Sequence, residues 1–397
     1  MDLLACRLNY SSLIHFFSQP DWIYSIFVTD SRFHSPPNTK LPMEKMFATA
    51  LLILNTSFGV TLSQSLPEPK HYLAYFVSEP LIMDGKLSEN SWEQAPWSES
   101  FQDIQGADHP TPRQATRMKM LWDEEFLYIG VRLEETDIWA TYTERESVIF
   151  QENDIEVFID PDGDTHHYYE LEINALGTVW DLMLTRPYKD GGKPINGWNI
   201  NDFRHALHLE GTLNDPSDED AYWSVEMAIP WKSLSQSGGN YRAPASGSQW
   251  KINFSRVQWQ IEPDETGYKK KRNPATGKHF PEDNWVWSPM GLVNMHLPDR
   301  WGIVQFSGIP VGTGTDTFIP NPDENVKRAL RKLYDAQRKL YAEERRYGNS
   351  LEALQVESDL QEVHFEVSDT RFKISSPSLL DGEQRWYITE DGRIWKM

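Results

Sequence analysis

Short runs of alternating apolar and polar residues, divided by turn residues, cover the chain from residue 72 to residue 306. A period of two places successive side chains on opposite faces of a strand. Aspartate-glycine and proline-containing turns such as Asp84-Gly85 separate the runs. The predicted strands are residues 73–77, 117–122, 126–133, 154–160, 168–174, 178–184, 203–209, 222–229, 250–258 and 301–306. Many short strands with few helical stretches predict an all-β fold, a two-sheet antiparallel β-sandwich over residues 70–309.

The pattern changes after residue 310. Residues 310–320 are rich in glycine and threonine and predict a linker. Apolar residues then recur at helical spacing, as in Val326, Leu330 and Leu333, which predicts an amphipathic helix over residues 321–347. We expect this helix to pack on the sandwich, with a partner-binding helix as the alternative. Residues 360–397 predict two or three further strands.

An apolar segment near the N-terminus, residues 46–62, follows Lys45 and ends in small residues at Ser63. This layout is typical of a secretory signal. The segment is too short and too interrupted by polar residues to span a bilayer. We therefore expect residues 1–63 to be an upstream segment and signal peptide, with translation starting at Met43 or Met46. Cleavage near Ser63 would leave a secreted or periplasmic protein. A folded N-terminal extension is the alternative.

Charge and cysteine content exclude several classes of function. The 397 residues include 59 acidic and 38 basic ones, giving a formal net charge of −21. A chain this acidic repels phosphate backbones, so we expect no nucleic-acid partner. The only cysteine is Cys6, in the upstream segment. A mature chain without cysteine has no disulfide, thiolate nucleophile or iron–sulfur cluster.

Polar side chains alternate with core residues on two predicted strands. Glu156 lies on the first strand, and Glu172 and Asn174 lie on the second. If the strands are neighbours, these side chains form one patch, to which Asn253 of a later strand would add. Carboxylates and amides bind sugar hydroxyls, and an aromatic ring covers the apolar face of a sugar. The alternative is an ordinary solvated sheet face.

An acidic turn follows the first of these strands. Asp160, Asp162 and Asp164 surround Gly163, and hard oxygen donors of this kind suit calcium. The turn is not an EF-hand loop, because Leu171 stands where a bidentate glutamate is required. We expect these aspartates to bind Ca²⁺, with a tight turn that holds no ion as the alternative.

Four motifs, in order and spacing, resemble family 9 carbohydrate-binding modules over about residues 81–306. They are Ile82-Met83-Asp84-Gly85 followed by Trp92; Leu121-Trp122-Asp123-Glu124-Glu125-Phe126-Leu127-Tyr128-Ile129; Asn153-Asp154-Ile155-Glu156-Val157-Phe158-Ile159-Asp160; and Val225-Glu226-Met227-Ala228-Ile229-Pro230-Trp231. The resemblance implies a DOMON-like sandwich, found beside xylanases and other secreted glycoside hydrolases. It also implies that the sandwich binds the ends of sugar chains and holds calcium.

By that resemblance, Glu156 falls on a position that hydrogen-bonds sugar. Binding members clamp the sugar between two tryptophans. The first position falls on Phe150, or near Trp139, and the second falls around Met295-His296, where no tryptophan stands. An arginine position falls on Glu172. The resemblance therefore implies a non-catalytic protein that recognises poly- or oligosaccharide, with departures that bear on the ligand and its affinity.

Two further functions stay open at this point. A glycoside hydrolase acting on O-glycosyl bonds needs two carboxylates about 5–5.5 Å or 6.5–9.5 Å apart, which Glu156 and Glu172 can supply. A haem-binding module of the DOMON type needs axial histidine or methionine ligands. The candidates for that role, in no recognisable arrangement, are Met118, Met120, Met183 and His205.

Overall fold

The structure of the protein, a computed structural model, describes residues 67–234, 242–265 and 267–397. The predicted upstream segment, with Cys6 and the signal sequence, lies outside these residues and stays a prediction. No helix in the described ranges is both long enough and apolar enough to cross a membrane.

Short strands dominate the described chain, as the alternation predicts. The strands of the main body are β1 His71–Phe76, β2 Gln102–Asp103, β3 Thr116–Trp122, β4 Phe126–Glu134, β5 Asp154–Asp160, β6 Tyr168–Asn174, β7 Val179–Leu184, β8 Pro194–Ile195, β9 Arg204–Glu210, β10 Tyr222–Pro230, β11 Gln249–Gln258, β12 Ile261–Asp264, β13 Gly267–Lys270, β14 Asp283–Val286 and β15 Gly302–Pro310. The remaining elements are helices α1 Asn90–Gln94, α2 Asp323–Glu344 and α3 Leu351–Leu354, and strands β16 His364–Val367, β17 Phe372–Pro377, β18 Arg385–Thr389 and β19 Ile394–Lys396.

The main strands follow the order β8-β7-β6-β5-β11-β15-β1-β3-β4-β10-β9, and β14 pairs with β11 and β2. We call β5–β8, β11, β14 and β15 the first layer, and β3, β4, β9 and β10 the second layer. The layers are joined through β1, which runs parallel to both β15 and β3. The predicted sandwich is therefore confirmed, but it is not purely antiparallel, because β1 joins its layers through parallel pairing.

The inner faces of the two layers form one apolar core. Ile155 and Phe254 from the first layer belong to the same buried cluster as Ile129 and Val225 from the second. Each of these residues occupies an inward position in the alternating pattern of its strand. The polar residues between them therefore face outward from the sandwich, where the candidate site lies.

Two of the family-like motifs meet at one end of the second layer. The indole Nε1 of Trp92, on α1, donates to Glu226 Oε1 at 2.7 Å, and the backbone nitrogen of Gly85 donates to Glu226 Oε2 at 3.1 Å. Gly85 has a φ of +81°, and a Cβ there would collide with the backbone of Leu207. The glycine is therefore required by both its backbone conformation and its close approach to β9.

The C-terminal helix packs differently from the prediction. Apolar residues of α2, including Leu330 and Leu333, contact Ile374 and Ile388 on a separate four-stranded antiparallel sheet, β16-β17-β18-β19. Polar pairs join this unit to the sandwich, as in the 2.7 Å ion pair between Lys251 and Glu324. The helix thus buries its apolar stripe within the C-terminal extension rather than on the sandwich itself.

Candidate functional site

The candidate site lies on the outer face of the first layer, where three strands align polar residues. Glu156 on β5 stands opposite Glu172 on β6 and opposite Ser255 on β11. Asp154 and Glu170 occupy further outward positions on β5 and β6. The predicted neighbourhood of Glu156 and Glu172 is therefore present, and two more carboxylates belong to it.

This outer face is covered over part of its area, so it is not an ordinary solvated surface. Phe158, Tyr168 and Leu182 project outward and form a second apolar cluster with residues from the chain around β14 and β15: Val286, Met290, Met295, Leu297 and Trp301. The cover leaves Glu156 only 6% exposed and Glu172 only 1% exposed.

Burial sets the protonation of the four carboxylates. It raises the pKa of Glu156 to about 7, and the Ser255 hydroxyl offsets only part of this effect. Burial and the repulsion from Glu156 raise the pKa values of Asp154, Glu170 and Glu172. Hydrogen-bond donors or cations favour the ionised form of a carboxylate. A ligand that brings hydroxyl donors or positive charge is therefore favoured here.

Aromatic rings border one side of these carboxylates. Phe150 is 39% exposed, and its ring stacks on Trp180 with centroids 6.3 Å apart. The backbone nitrogen of Phe150 donates to Glu172 Oε2 at 2.9 Å, and Trp259 Nε1 donates to the Phe150 carbonyl at 2.9 Å. The carboxylate of Glu172 is thus held beside the backbone of Phe150, whose ring is left exposed, and the stacking role of that ring stays a prediction.

A second aromatic wall lies near the position where the resemblance implies a tryptophan. Tyr188 is 44% exposed, and its ring meets that of His296 edge-on at 4.5 Å. Burial, together with the charges of Glu170 and Glu172, raises the pKa of Tyr188. Burial lowers the pKa of His296 to about 4, so its imidazole is neutral at pH 7.

The two predicted amide ligands have structural roles instead. Asn174 Nδ2 donates to the Tyr142 carbonyl and to Glu152, while its Oδ1 accepts from the backbone nitrogens of Leu176 and Thr178. The full capacity of an amide is thereby used. Asn253 is likewise fully buried and bonds to the backbone at three points. The prediction that these amides face a sugar is wrong, because both side chains are fully buried and their amide groups are bonded to neighbouring segments of the chain.

Trp139 is also unsuited to the predicted stacking role. Its side chain is buried, with 6% exposure. A ring that stacks on a sugar must present a face to solvent, so Phe150 is the better platform of the two predicted alternatives.

The acidic turn brings its three carboxylates together, with oxygens of Asp160, Asp162 and Asp164 within 4.8 Å of one another. Burial and mutual repulsion raise the pKa values of Asp160 and Asp162, which indicates excess negative charge. Arg393 of the C-terminal unit donates to Asp164 Oδ2 at 2.9 Å and neutralises part of it. Three clustered carboxylates have the donor chemistry of a calcium site, and an ion at this turn stays a prediction.

Sequence reasoning missed several residues of this face. Trp180 stands directly opposite Glu172 on β7, and alternation within the predicted strand 178–184 would have placed it there. Asp154 and Glu170 could have been found in the same way. Tyr188 lies in a short 3-10 turn, Tyr188–Asp190, where no periodicity marks its direction.

The proposed haem ligands do not converge on this face. Met118 and Met120 are fully buried in the sandwich core. Nε2 of His205 lies 2.9 Å from the Gly177 carbonyl. These side chains are therefore engaged in packing and in a local hydrogen bond.

Comparisons with known proteins give a matching family model and curated relatives of limited identity. The family model described as carbohydrate family 9 binding domain-like matches residues 82–307. Endo-1,4-beta-xylanase A of Thermoanaerobacterium saccharolyticum is 25% identical over 159 residues, which is 40% of this chain and 11% of that protein. Exoglucanase XynX of Acetivibrio thermocellus is 25% identical over 175 residues, 44% of this chain and 14% of that protein. The chain thus spans a small fraction of the length of these curated relatives.

Solved structures of similar proteins include a putative carbohydrate-binding protein from Bacteroides uniformis, with 17% identity and a TM-score of 0.43. The match covers 60% of this chain and 100% of that chain. A carbohydrate binding module family 9 from Caldicellulosiruptor kristjanssonii in complex with cellotriose has 15% identity and a TM-score of 0.38, covering 63% and 100%. The same module in complex with glucose has 16% identity and a TM-score of 0.37, covering 62% and 100%.

Proposed function

The chain belongs to the carbohydrate family 9 binding domain-like family, and from this premise we propose that it binds poly- or oligosaccharide on the outer face of the first layer. The observation that carries the proposal is the exposed Phe150 ring, held by Glu172 beside the buried carboxylate of Glu156. The function is recognition without catalysis, in support of carbohydrate breakdown.

The two aromatic walls have the chemistry of a sugar clamp. Phe150 on one side and Tyr188 on the other present apolar ring faces, which suit the C–H surface of a sugar ring. Glu156 and Glu172, whose carboxylates lie within 4.8 Å of each other, are the acceptors for sugar hydroxyls in this proposal. Charge-assisted hydrogen bonds of this kind are roughly twice as strong as neutral ones, so Glu156 is expected to dominate orientation.

Calorimetry with glucose, cellotriose and xylotriose tests the proposal. Glu156→Gln removes the charge behind a hydrogen bond worth about 1.5–3 kcal/mol, so affinity is expected to fall by up to roughly ten- to a hundredfold. Phe150→Ala is expected to weaken binding as well. Leu380→Ala is the control, because Leu380 is also an exposed apolar residue, at 59%, but lies in the C-terminal extension. Normal binding by Glu156→Gln and Phe150→Ala, in an assay sensitive to millimolar constants, would contradict the site.

A glycoside hydrolase is the second candidate, because Glu156 has a pKa of about 7 and lies close to Glu172. A retaining enzyme needs one protonated and one ionised carboxyl group about 5–5.5 Å apart. Burial raises the pKa of Glu172 as well, which disfavours an ionised nucleophile. Sugar release from xylan or glucan that is lost in both Glu156→Gln and Glu172→Gln would favour the enzyme; binding without release favours recognition.

We further propose that the protein is exported and acts with glycoside hydrolases. The apolar segment at residues 46–62 and the names of the two curated relatives support this proposal. N-terminal sequencing of the exported protein is expected to give a start near Gln64. A start before residue 43 would contradict the signal peptide. Addition of the protein is expected to accelerate xylan breakdown by a xylanase, and an unchanged rate would argue against assistance.

A further inference from the structure

A cleft on the opposite side of the sandwich combines positive charge with exposed aromatic surface. It lies on the outer face of β3, β4 and β10 and consists of two cavities of about 250 and 310 Å³ that share Trp97 and Arg132. The cationic side chains that line it are Arg117, Arg132, Lys119 and Lys86. Such a concentration of positive charge contrasts with the net charge of −21 of the chain.

Two of these cations are placed side by side without an acidic partner. Arg117 on β3 and Arg132 on β4 stand directly opposite each other in the strand register. Like charges in directly opposed positions destabilise a sheet. Across the described part of the chain, neither guanidinium has a carboxylate within 4.0 Å. Arg117 instead donates to the Ser100 hydroxyl at 3.0 Å, and Arg132 lies 3.7 Å from the centre of the Tyr222 ring.

Neighbouring acids do not cancel this arrangement. Glu93 and Glu134 also line the cleft, but four cationic side chains against two carboxylates leave its lining net positive. Both arginine side chains are exposed at the surface. A planar guanidinium binds a carboxylate through two parallel hydrogen bonds. Arg117 and Arg132 therefore present two guanidinium forks, each able to bind a carboxylate of an anionic ligand in this way.

Trp97 supplies the flat surface beside these forks. Its ring is 39% exposed, and Lys119 Nζ lies 4.5 Å from its centre while donating to the Trp92 carbonyl. This lysine is itself buried, so it anchors the indole from beneath. An exposed indole can pack against the apolar face of a sugar ring, whereas a small inorganic anion has no apolar surface to place on it.

We propose that this cleft binds a carboxylate-bearing saccharide, of the uronic acid class, with Arg117 and Arg132 on its carboxylates and Trp97 under a sugar ring. The cleft lies on the other layer from Glu156 and Phe150. Binding there is therefore independent of the function proposed for the first layer, and either one can fail alone.

Calorimetry at low ionic strength with tetragalacturonate, its fully methyl-esterified form and inorganic phosphate tests the proposal. The charged saccharide is expected to bind, and the ester to bind at least tenfold more weakly. Arg117→Gln and Arg132→Gln are each expected to lower affinity for tetragalacturonate by at least tenfold. Trp97→Ala is expected to lower it while leaving any phosphate binding unchanged. Competition by phosphate at the same concentrations as tetragalacturonate would overturn a saccharide site in favour of a simple anion site.

Two controls separate the cleft from general charge effects and from the first layer. Arg204→Gln removes another exposed arginine of the second layer, one that lies 4.8 Å over the Phe126 ring. It is expected to leave tetragalacturonate affinity unchanged, as is Glu156→Gln. Equal losses in Arg204→Gln and Arg132→Gln, or equal binding of the charged and esterified saccharides, would overturn the proposal.

Discussion

The two outer faces of the sandwich differ in the sign of their charged side chains and in how exposed those side chains are. On the first layer, Glu156 and Glu172 are buried beneath an apolar cover, and their pKa values rise. On the second layer, Arg117 and Arg132 stay exposed at the rim of a cleft. Strand alternation places charged residues outward on both layers. The chain segments that cover each face then determine whether its side chains stay charged, have shifted pKa values, or remain accessible to a ligand.

The first test concerns Asn174, which supports the outer face of the first layer, the acidic face that carries Glu156 and Glu172. Asn174→Ala is expected to lower the free energy of unfolding by roughly 3–5 kcal/mol, because it leaves several buried polar groups without partners. Asn349→Ala, at an exposed position, is the control and is expected to change stability by less than about 0.5 kcal/mol. Urea unfolding measures both variants. A small effect at Asn174 would mean that the loops around the acidic face rearrange freely.

The second test concerns pH. Folding raises the pKa of Glu156 from its ordinary value of 4.5 to about 7. Between these values the folded state keeps a proton that the unfolded state has lost. Stability is therefore expected to fall as pH rises from about 4.5 to about 7, and to level off above that range for this group. The contribution is up to about 3 kcal/mol.

Melting curves of the wild type and of Glu156→Gln across this range check the expectation. The variant has no proton to lose at position 156, so its stability is expected to fall less steeply with pH. Arg117→Gln is expected to follow the slope of the wild type, since arginine does not titrate there. Parallel slopes in the wild type and Glu156→Gln would show that Glu156 ionises without cost in the folded protein.

The third test is whether a calcium ion neutralises the acidic turn of Asp160, Asp162 and Asp164. An ion bound only by the folded state adds about 2.7 kcal/mol at a hundredfold excess over its dissociation constant. Chelator is therefore expected to lower the melting temperature of the wild type. Asp162→Asn is expected to reduce that drop, because Asp162 is the ligand candidate with the most exposed carboxylate. An unchanged melting temperature with and without chelator would identify the turn as a docking point for Arg393 alone.

The smallest expected effect on stability concerns Arg117, on the second layer. Arg117→Gln removes a like charge that faces Arg132 across the strands, so stability is expected to rise by about 0.2–1 kcal/mol. Urea unfolding at low ionic strength measures the change, since salt screens exposed charges. A decrease of more than about 1 kcal/mol in the free energy of unfolding would mean that Arg117 stabilises the fold, which would argue against a role in ligand binding alone.

Local pattern predicted much of this molecule. The period-two alternation around Ile155 and Val157 identified core and outward faces, and the register of Glu156 with Glu172 followed once the strands were paired. The position of the exposed Phe150 came from the resemblance to a family of carbohydrate-binding modules. The same reasoning assigned Asn174 and Asn253 to a ligand, because alternation reports a side chain's direction but not what lies above it.

The sequence by itself determined the strands, the inward residues and the acidic turn, because these depend on neighbours a few positions apart. Only the tertiary structure decided the rest. It placed Tyr188 against His296, set Arg117 against Arg132 in a cleft, and packed α2 on the C-terminal sheet instead of the sandwich. Each of these depends on segments far apart in the chain, and burial by distant segments, not local pattern, sets the hydration and the pKa of a side chain.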